Sequence, residues 1–169
     1  PGEITLAPSL PGDVTSLNLA GETFYLQSGS FLASGPELSV DASWGGAKTF
    51  FGSEGLFLLK AAGRGPLIFS SYGAIHQVPI SGRPYVVDTG HVVGFTGGLE
   101  FDVRRVGNWK STILSGEGLV CEFRGQGTLY LQTRSSQAFL AWLVPKLPRG
   151  GATGGGRGGG LLGGILGQE

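Results

Sequence analysis

The stretch of this chain that comes nearest to a catalytic pattern is Val86-Val87-Asp88-Thr89-Gly90, two apolar residues followed by Asp-Thr-Gly. In an aspartic-type hydrolase such a loop presents one of two carboxylates that share a proton and activate water, so a second carboxylate must stand beside the first. The chain duplicates this stretch as Leu26-Gln27-Ser28-Gly29, which carries no carboxylate, and position 91 is His where the pattern prefers a small residue. A β-turn in which Asp88 accepts a hydrogen bond from its own backbone ahead of Gly90 is the stronger reading. A hydrolase using Asp88 is the remote alternative.

The other titratable residues form weaker patterns. His76, His91 and Asp88 could be drawn as a metal site, but there is no paired Cys and no His-x-x-x-His spacing, so structural or exposed roles are expected for both histidines. Glu54 and Glu117 are duplicated carboxylates, in Ser53-Glu54-Gly55-Leu56 and Gly116-Glu117-Gly118-Leu119, with Lys48 and Lys110 as matching ion-pair partners. Internal duplication accounts for both without chemistry, each Glu marking one structural joint where it accepts backbone N–H bonds. Cys121 is the single cysteine, which excludes an intramolecular disulfide, and its place in Leu119-Val120-Cys121 predicts a buried thiol. Arg149 and Arg157 among glycines make a thin Arg-Gly signal for RNA, and the Gly-x-Gly pairs do not sit at a strand-to-helix junction where a phosphate could bind. The expectation is a protein that is not an enzyme, with no catalytic residues, no cofactor and no metal.

The elements that hold these residues are strands. Of the 169 residues 33 are Gly and only 14% are charged, which leaves little material for charged surface helices and favours an all-β fold. Twelve basic residues balance 12 acidic ones, so no strong field directs the chain to nucleic acid or to an anionic membrane. Gly12, Gly21, Gly29 and Leu38 recur 61 positions later as Gly73, Gly82, Gly90 and Leu99, and Gly63 and Gly65 recur 62 later as Gly125 and Gly127. The chain therefore reads as an internal repeat, with units at about 1–64 and 65–127 and a closing strand at 128–133. Short strands are expected over 3–6, 14–19, 24–26, 31–33 and 38–40, punctuated by Gly and Pro. The strands at 56–60 and 119–123 are the most apolar. Gly63-Arg64-Gly65 and Gly125-Gln126-Gly127 are expected to form tight hairpin turns. Residues 4–7, 67–70 and 128–133 look like three versions of one element, and three joints for two units predict a further unit ahead of Pro1. The segments at 44–51 and 106–114 are expected to be exposed loops or short helical turns.

Beyond Ser135 the pattern changes. A short amphipathic helix is expected within 135–148, running 137–144 from a Ser136 cap and ended by Pro145 and Pro148, with Phe139, Leu140, Trp142 and Leu143 on its apolar face. Phe139, Trp142 and Leu143 are the candidate contacts for self-association, a protein partner or a peripheral membrane surface. The Gly-rich tail at 149–169 cannot offset its ordering entropy and is expected to be disordered. No apolar run approaches the roughly 20 residues of a membrane span.

Several separated motifs, in order, resemble the AIM24 family: Leu6-Ala7-Pro8 through Pro11-Gly12-Asp13, Gln27-Ser28-Gly29-Ser30-Phe31-Leu32-Ala33, Glu54-Gly55-Leu56-Phe57-Leu58, Ser71-Tyr72-Gly73-Ala74-Ile75-His76, Tyr85-Val86-Val87-Asp88-Thr89-Gly90-His91 and Ser115-Gly116-Glu117-Gly118-Leu119-Val120. The resemblance covers Pro1 to about Arg134. It implies double-stranded β-helix-like units, similar to the tryptophan RNA-binding attenuation protein (TRAP) and arranged three to a chain about a pseudo-threefold axis, with an N-terminal part that this chain lacks. It implies no catalytic residues. It also implies a cytoplasmic place for a bacterial-type chain, with a mitochondrial one only for a eukaryotic member. The leading expectation is a structural or scaffolding protein that works through protein–protein or membrane-peripheral assembly. An RNA-binding module is the alternative, resting on fold analogy alone and opposed by the neutral charge.

Overall fold

A computed structural model describes residues 2–42, 57–105 and 119–147. Ten strands form one antiparallel sheet system among them: β1 (Val14–Ala20), β2 (Phe24–Gln27), β3 (Phe31–Ser34), β4 (Leu38–Asp41), β5 (Leu58–Ser70), β6 (Ile75–Ser81), β7 (Tyr85–Asp88), β8 (Val92–Thr96), β9 (Leu99–Arg105) and β10 (Leu119–Gln132). Among the described residues one α-helix, α1 (Ser136–Leu143), follows β10. The all-β fold class holds.

Two long strands organise the rest. The leading part of β5 pairs with β2 and β4, and its trailing part pairs with β1 and β3. Strand β10 does the same with β7 and β9, then with β6 and β8. The registers correspond position by position. Val14↔Ser70 is matched by Ile75↔Gln132, Gln27↔Leu58 by Asp88↔Val120, and Leu38↔Gly63 by Leu99↔Gly125. Even the register slip after Phe31↔Phe69 reappears after Val92↔Leu131.

The hairpin turns expected at Gly63-Arg64-Gly65 and Gly125-Gln126-Gly127 are not turns. Both triplets lie inside β5 and β10, which run on through them and change pairing partners there, so the 64/65 position falls in mid-strand. Gly63 and Gly125 adopt φ of 125° and 102°, and a Cβ on either would stand 2.3 Å from the Glu37 carbonyl or 2.6 Å from that of Gly98. The residues signal positive φ, and a bend within a long strand uses that freedom as well as a turn does. The strand expected at 3–6 is also absent. Residues 2–11 carry no strand, and Ile4 is 80% exposed, because no described neighbour offers them a ladder. Pairing begins only at the parallel bridge of Gly12 with Gly73.

The two sets of strands meet where β2 pairs with β8, Phe24↔Thr96, Tyr25↔Phe95 and Leu26↔Gly94. Two core clusters flank this joint, and each draws on both sides of it. Leu19, Phe24, Leu26, Leu67 and Phe69 pack with Val93 and Tyr130, while Val92, Phe95, Phe123 and Leu129 pack with Leu58. Phe24 stacks on Phe69 at 5.5 Å and meets the edge of Tyr130 at 5.4 Å. Burying aromatic rings of this size supplies much of the apolar stabilisation, at about 1.5–3 kcal/mol for each large side chain.

Candidate functional site

Asp88 ends β7, and the chain turns immediately through a 3-10 segment, Thr89–His91. Its Oδ1 accepts the Gly90 N–H at 2.8 Å, the side chain capping its own turn. No described carboxylate stands at the duplicate position, which is Gln27. His91, next in the chain, is oriented by an Nδ1 contact of 2.7 Å with the Gln132 carbonyl, which places the donor proton on Nδ1. His76 lies exposed on β6 opposite Leu131. Among the described residues no three His, Cys, Asp or Glu side chains gather as a metal site. Glu54, Glu117, Lys48, Lys110, Arg149 and Arg157 lie outside the described residues, as do the segments at 44–51 and 106–114 and the 149–169 tail.

Cys121 is fully buried, and burial first, with the charges of Asp102 and Glu122 adding to it, pushes its thiol pKa far up. It is an inert core thiol. The neighbouring Glu122 was not singled out by sequence reasoning. It is 8% exposed and holds two arginines, Arg104 by Nη1–Oε2 at 2.9 Å and Arg124 by Nε–Oε1 at 2.6 Å. The Arg104 guanidinium is raised above its usual value by its hydrogen bond to Asp102 and then by the charge of Glu122. The spacing of Glu122 with Arg124, and of Asp102 with Arg104, two apart on a strand and so on one face, was the available signal. The register that puts β9 beside β10 was not.

A cavity of about 180 Å³ with a mixed lining opens where the two 3-10 turns and the trailing ends of β5 and β10 converge, with Pro8, Ser9 and Leu10 forming one wall. Gln132 spans its floor. Its Oε1 accepts the Tyr72 N–H at 2.9 Å, and its Nε2 donates to the Gly90 carbonyl at 2.8 Å. The extended arm before β1 is tied down beside it by Gly73 N–H to the Pro11 carbonyl and Asp13 N–H to the Gly73 carbonyl, both 3.0 Å, and by Asp13 Oδ2 accepting from Ile75 N–H at 2.9 Å. The cavity is lined by hydroxyls, amides and backbone together with Pro8 and Leu10, with no ionisable side chain except the Tyr72 phenol.

The C-terminal helix begins one residue earlier than expected. Ser135, itself buried, is the cap, its Oγ accepting the Ala138 N–H at 3.4 Å, and Ser136 is the first helical residue. Val144–Lys146 continues as a 3-10 turn. Phe139 and Trp142 are 43% and 57% exposed, Leu143 is half-buried, and Leu140, Val144 and Leu147 add to the exposed apolar surface. Phe139 meets the Tyr72 ring edge-on at 6.4 Å, which seats the helix against the cavity rim.

Comparison with known proteins agrees with this architecture. The chain is 31% identical over 149 residues to an uncharacterized protein of Streptococcus pyogenes serotype M6, a span that covers 87% of this chain and 60% of that protein. It superposes with a TM-score of 0.70 and 30% identity on a crystal structure of a Streptococcus pyogenes protein, covering 83% of this chain and 63% of the other. The chain thus spans less than two thirds of the length of either relative. No helix among the described residues is long and apolar enough to cross a membrane. Residues 1–134 match the family described as mitochondrial biogenesis AIM24, and with that match and these relatives the chain belongs to the AIM24 family.

Proposed function

We propose that this AIM24-family chain is a non-enzymatic scaffold, built from two copies of one β unit, that acts in the cytoplasm by assembling with protein partners or further units of its own kind. One observation carries the reading: the β2·β8 joint has no equivalent, among the described residues, at the corresponding edges of β7 and β3. Where β8 covers β2, Phe24 and Leu26 are fully buried. On β7 the matching Tyr85 is 37% exposed and the matching Val87 is half-buried, with Val86 between them 56% exposed. Strand β8 is buried from Val92 to Phe95, whereas β3 is only half-buried throughout. An edge that offers backbone hydrogen bonds beside exposed apolar side chains is a template for strand addition. The helix supplies a second surface through Phe139, Trp142 and Leu143, suited to a protein partner or a peripheral membrane contact.

Light scattering over a concentration series, combined with hydrogen exchange, tests this. Multimers with protected β7 amides are expected, and Val86→Lys, which places a charge on that edge, should shift them to monomers that melt at nearly the same temperature. A strict monomer whose Tyr85–Asp88 segment exchanges its outward amides freely would count against the proposal.

A further inference from the structure

Gln27 and Asp88 hold the same place in the fold, each ending a strand ahead of a 3-10 turn, Ser28–Ser30 or Thr89–His91. Asp88 caps its turn through the Gly90 N–H. Gln27 does not cap, and its side chain makes no hydrogen bond to any other described residue although it is only 4% exposed. Ser30, 3% exposed, likewise has an unpaired hydroxyl among the described residues, and the Ser70 hydroxyl reaches the Ser30 carbonyl only at 3.5 Å. All three residues line the cavity beside Gln132. A buried amide or hydroxyl without a partner is costly. Yet no side-chain nitrogen or oxygen sealed from solvent lacks a partner among the described residues, so the free groups of Gln27 and Ser30 reach outward through the cavity.

We infer that this cavity is a binding site for a small neutral polyol, held by the Gln27 amide and the Ser30 and Ser70 hydroxyls. The absence of Asp, Glu, Lys, Arg and His from its lining disfavours an ion, and hydroxyls and amides set beside Pro8 and Leu10 suit a molecule that carries both hydroxyl groups and C–H surface. Each of the three groups both donates and accepts, as does every hydroxyl of a polyol. A dry cavity of about 150 Å³ holds benzene, so about 180 Å³ suits a molecule of roughly six to eight non-hydrogen atoms. The cavity shares Ser136 with the helix, but neither Tyr85 and Val86 nor Phe139, Trp142 and Leu143 line it, so its test reads residues other than those of the proposed assembly surface.

Erythritol titrated into the 169-residue chain, followed by NMR of backbone and side-chain amides, reads it out. Saturable shifts are expected at the Gln27 side-chain amide and at Gly29 and Gly90, with Gln27→Leu weakening binding by about tenfold, the worth of one hydrogen bond. Gln27→Asp should restore the cap seen at Asp88 and lose binding with the fold intact. Ser30→Ala, the smaller change, should weaken binding severalfold and serves if Gln27→Leu does not fold. Shifts that grow linearly without saturating, or affinity unchanged in both Gln27→Asp and Ser30→Ala, would show that the cavity holds water alone.

Discussion

Cys121 shows how one buried group ties stability to pH. The thiol lies fully buried among Phe95, Phe123 and Leu129, and its pKa is raised from an ordinary 9.0 mainly by burial. Burial also raises Tyr130 from 10.0. Above pH 9 the unfolded chain releases the thiol proton while the folded chain keeps it, so unfolding releases protons and stability falls as pH rises. Below that value the contribution is complete. The slope for a fully released proton is about 1.4 kcal/mol per pH unit. Urea denaturation between about pH 8 and about pH 10.5 should therefore show a steady loss that is visibly flatter in Cys121→Ala. Equal slopes would mean that the thiol ionises in the folded state. The burial of Cys121 was legible in its apolar neighbours, and the Asp88 turn in its Asp-Thr-Gly spacing. The Glu122 cluster was not, because Arg104 reaches Glu122 from a different strand.

Among the strands, Gly94 decides whether the two sets can meet. A Cβ there would stand 2.7 Å from both the Tyr25 carbonyl and the Phe24 ring, closer than real contacts allow, and the backbone oxygen cannot swing aside. Gly94→Ala should destabilise the chain by about 1–3 kcal/mol, the usual cost of overpacking, measured from the urea midpoint. At the matching position of β3 the residue is already Ala33, and no strand lies beyond it among the described residues. Ala33→Gly should change stability by less than about 1 kcal/mol, through backbone entropy alone. Comparable effects at both sites would show that the β2·β8 contact is not the tight one. Strand positions such as 14–19 and 24–26 were legible from short apolar runs between glycines. Whether Gly63 and Gly125 mark turns or bends was not, since both need the same φ and differ only in where the next strand lies.

For the molecule as a whole, the helix matters because its apolar side chains lie outside the two core clusters. Phe139 and Trp142 lie 6.1 Å apart in tilted contact, with Lys146 4.7 Å over the Trp142 ring, and the patch they form faces outward. Replacing both aromatics with Ser should leave the melting temperature within a few degrees, because neither is buried, while lowering the average mass in light scattering if this patch is an assembly contact. A large loss of stability would instead show that the helix is part of the core. Unchanged mass with unchanged stability would leave the strand edges as the only assembly surface.

The amino-acid sequence alone determined the all-β class, the strand periodicity, the buried thiol, the Asp88 turn and the family, because these depend on local composition and on motifs that recur in order. The tertiary structure decided the rest. It turned two apparent hairpins into continuous bent strands, since a ladder forms only where a neighbour offers hydrogen bonds. It left 2–11 outside any strand for the same reason. It also gathered Gln27, Ser30, Ser70 and Gln132 round one cavity and, among the described residues, left β7 uncovered where β2 is covered, juxtapositions set by the pairing of strands far apart in the chain.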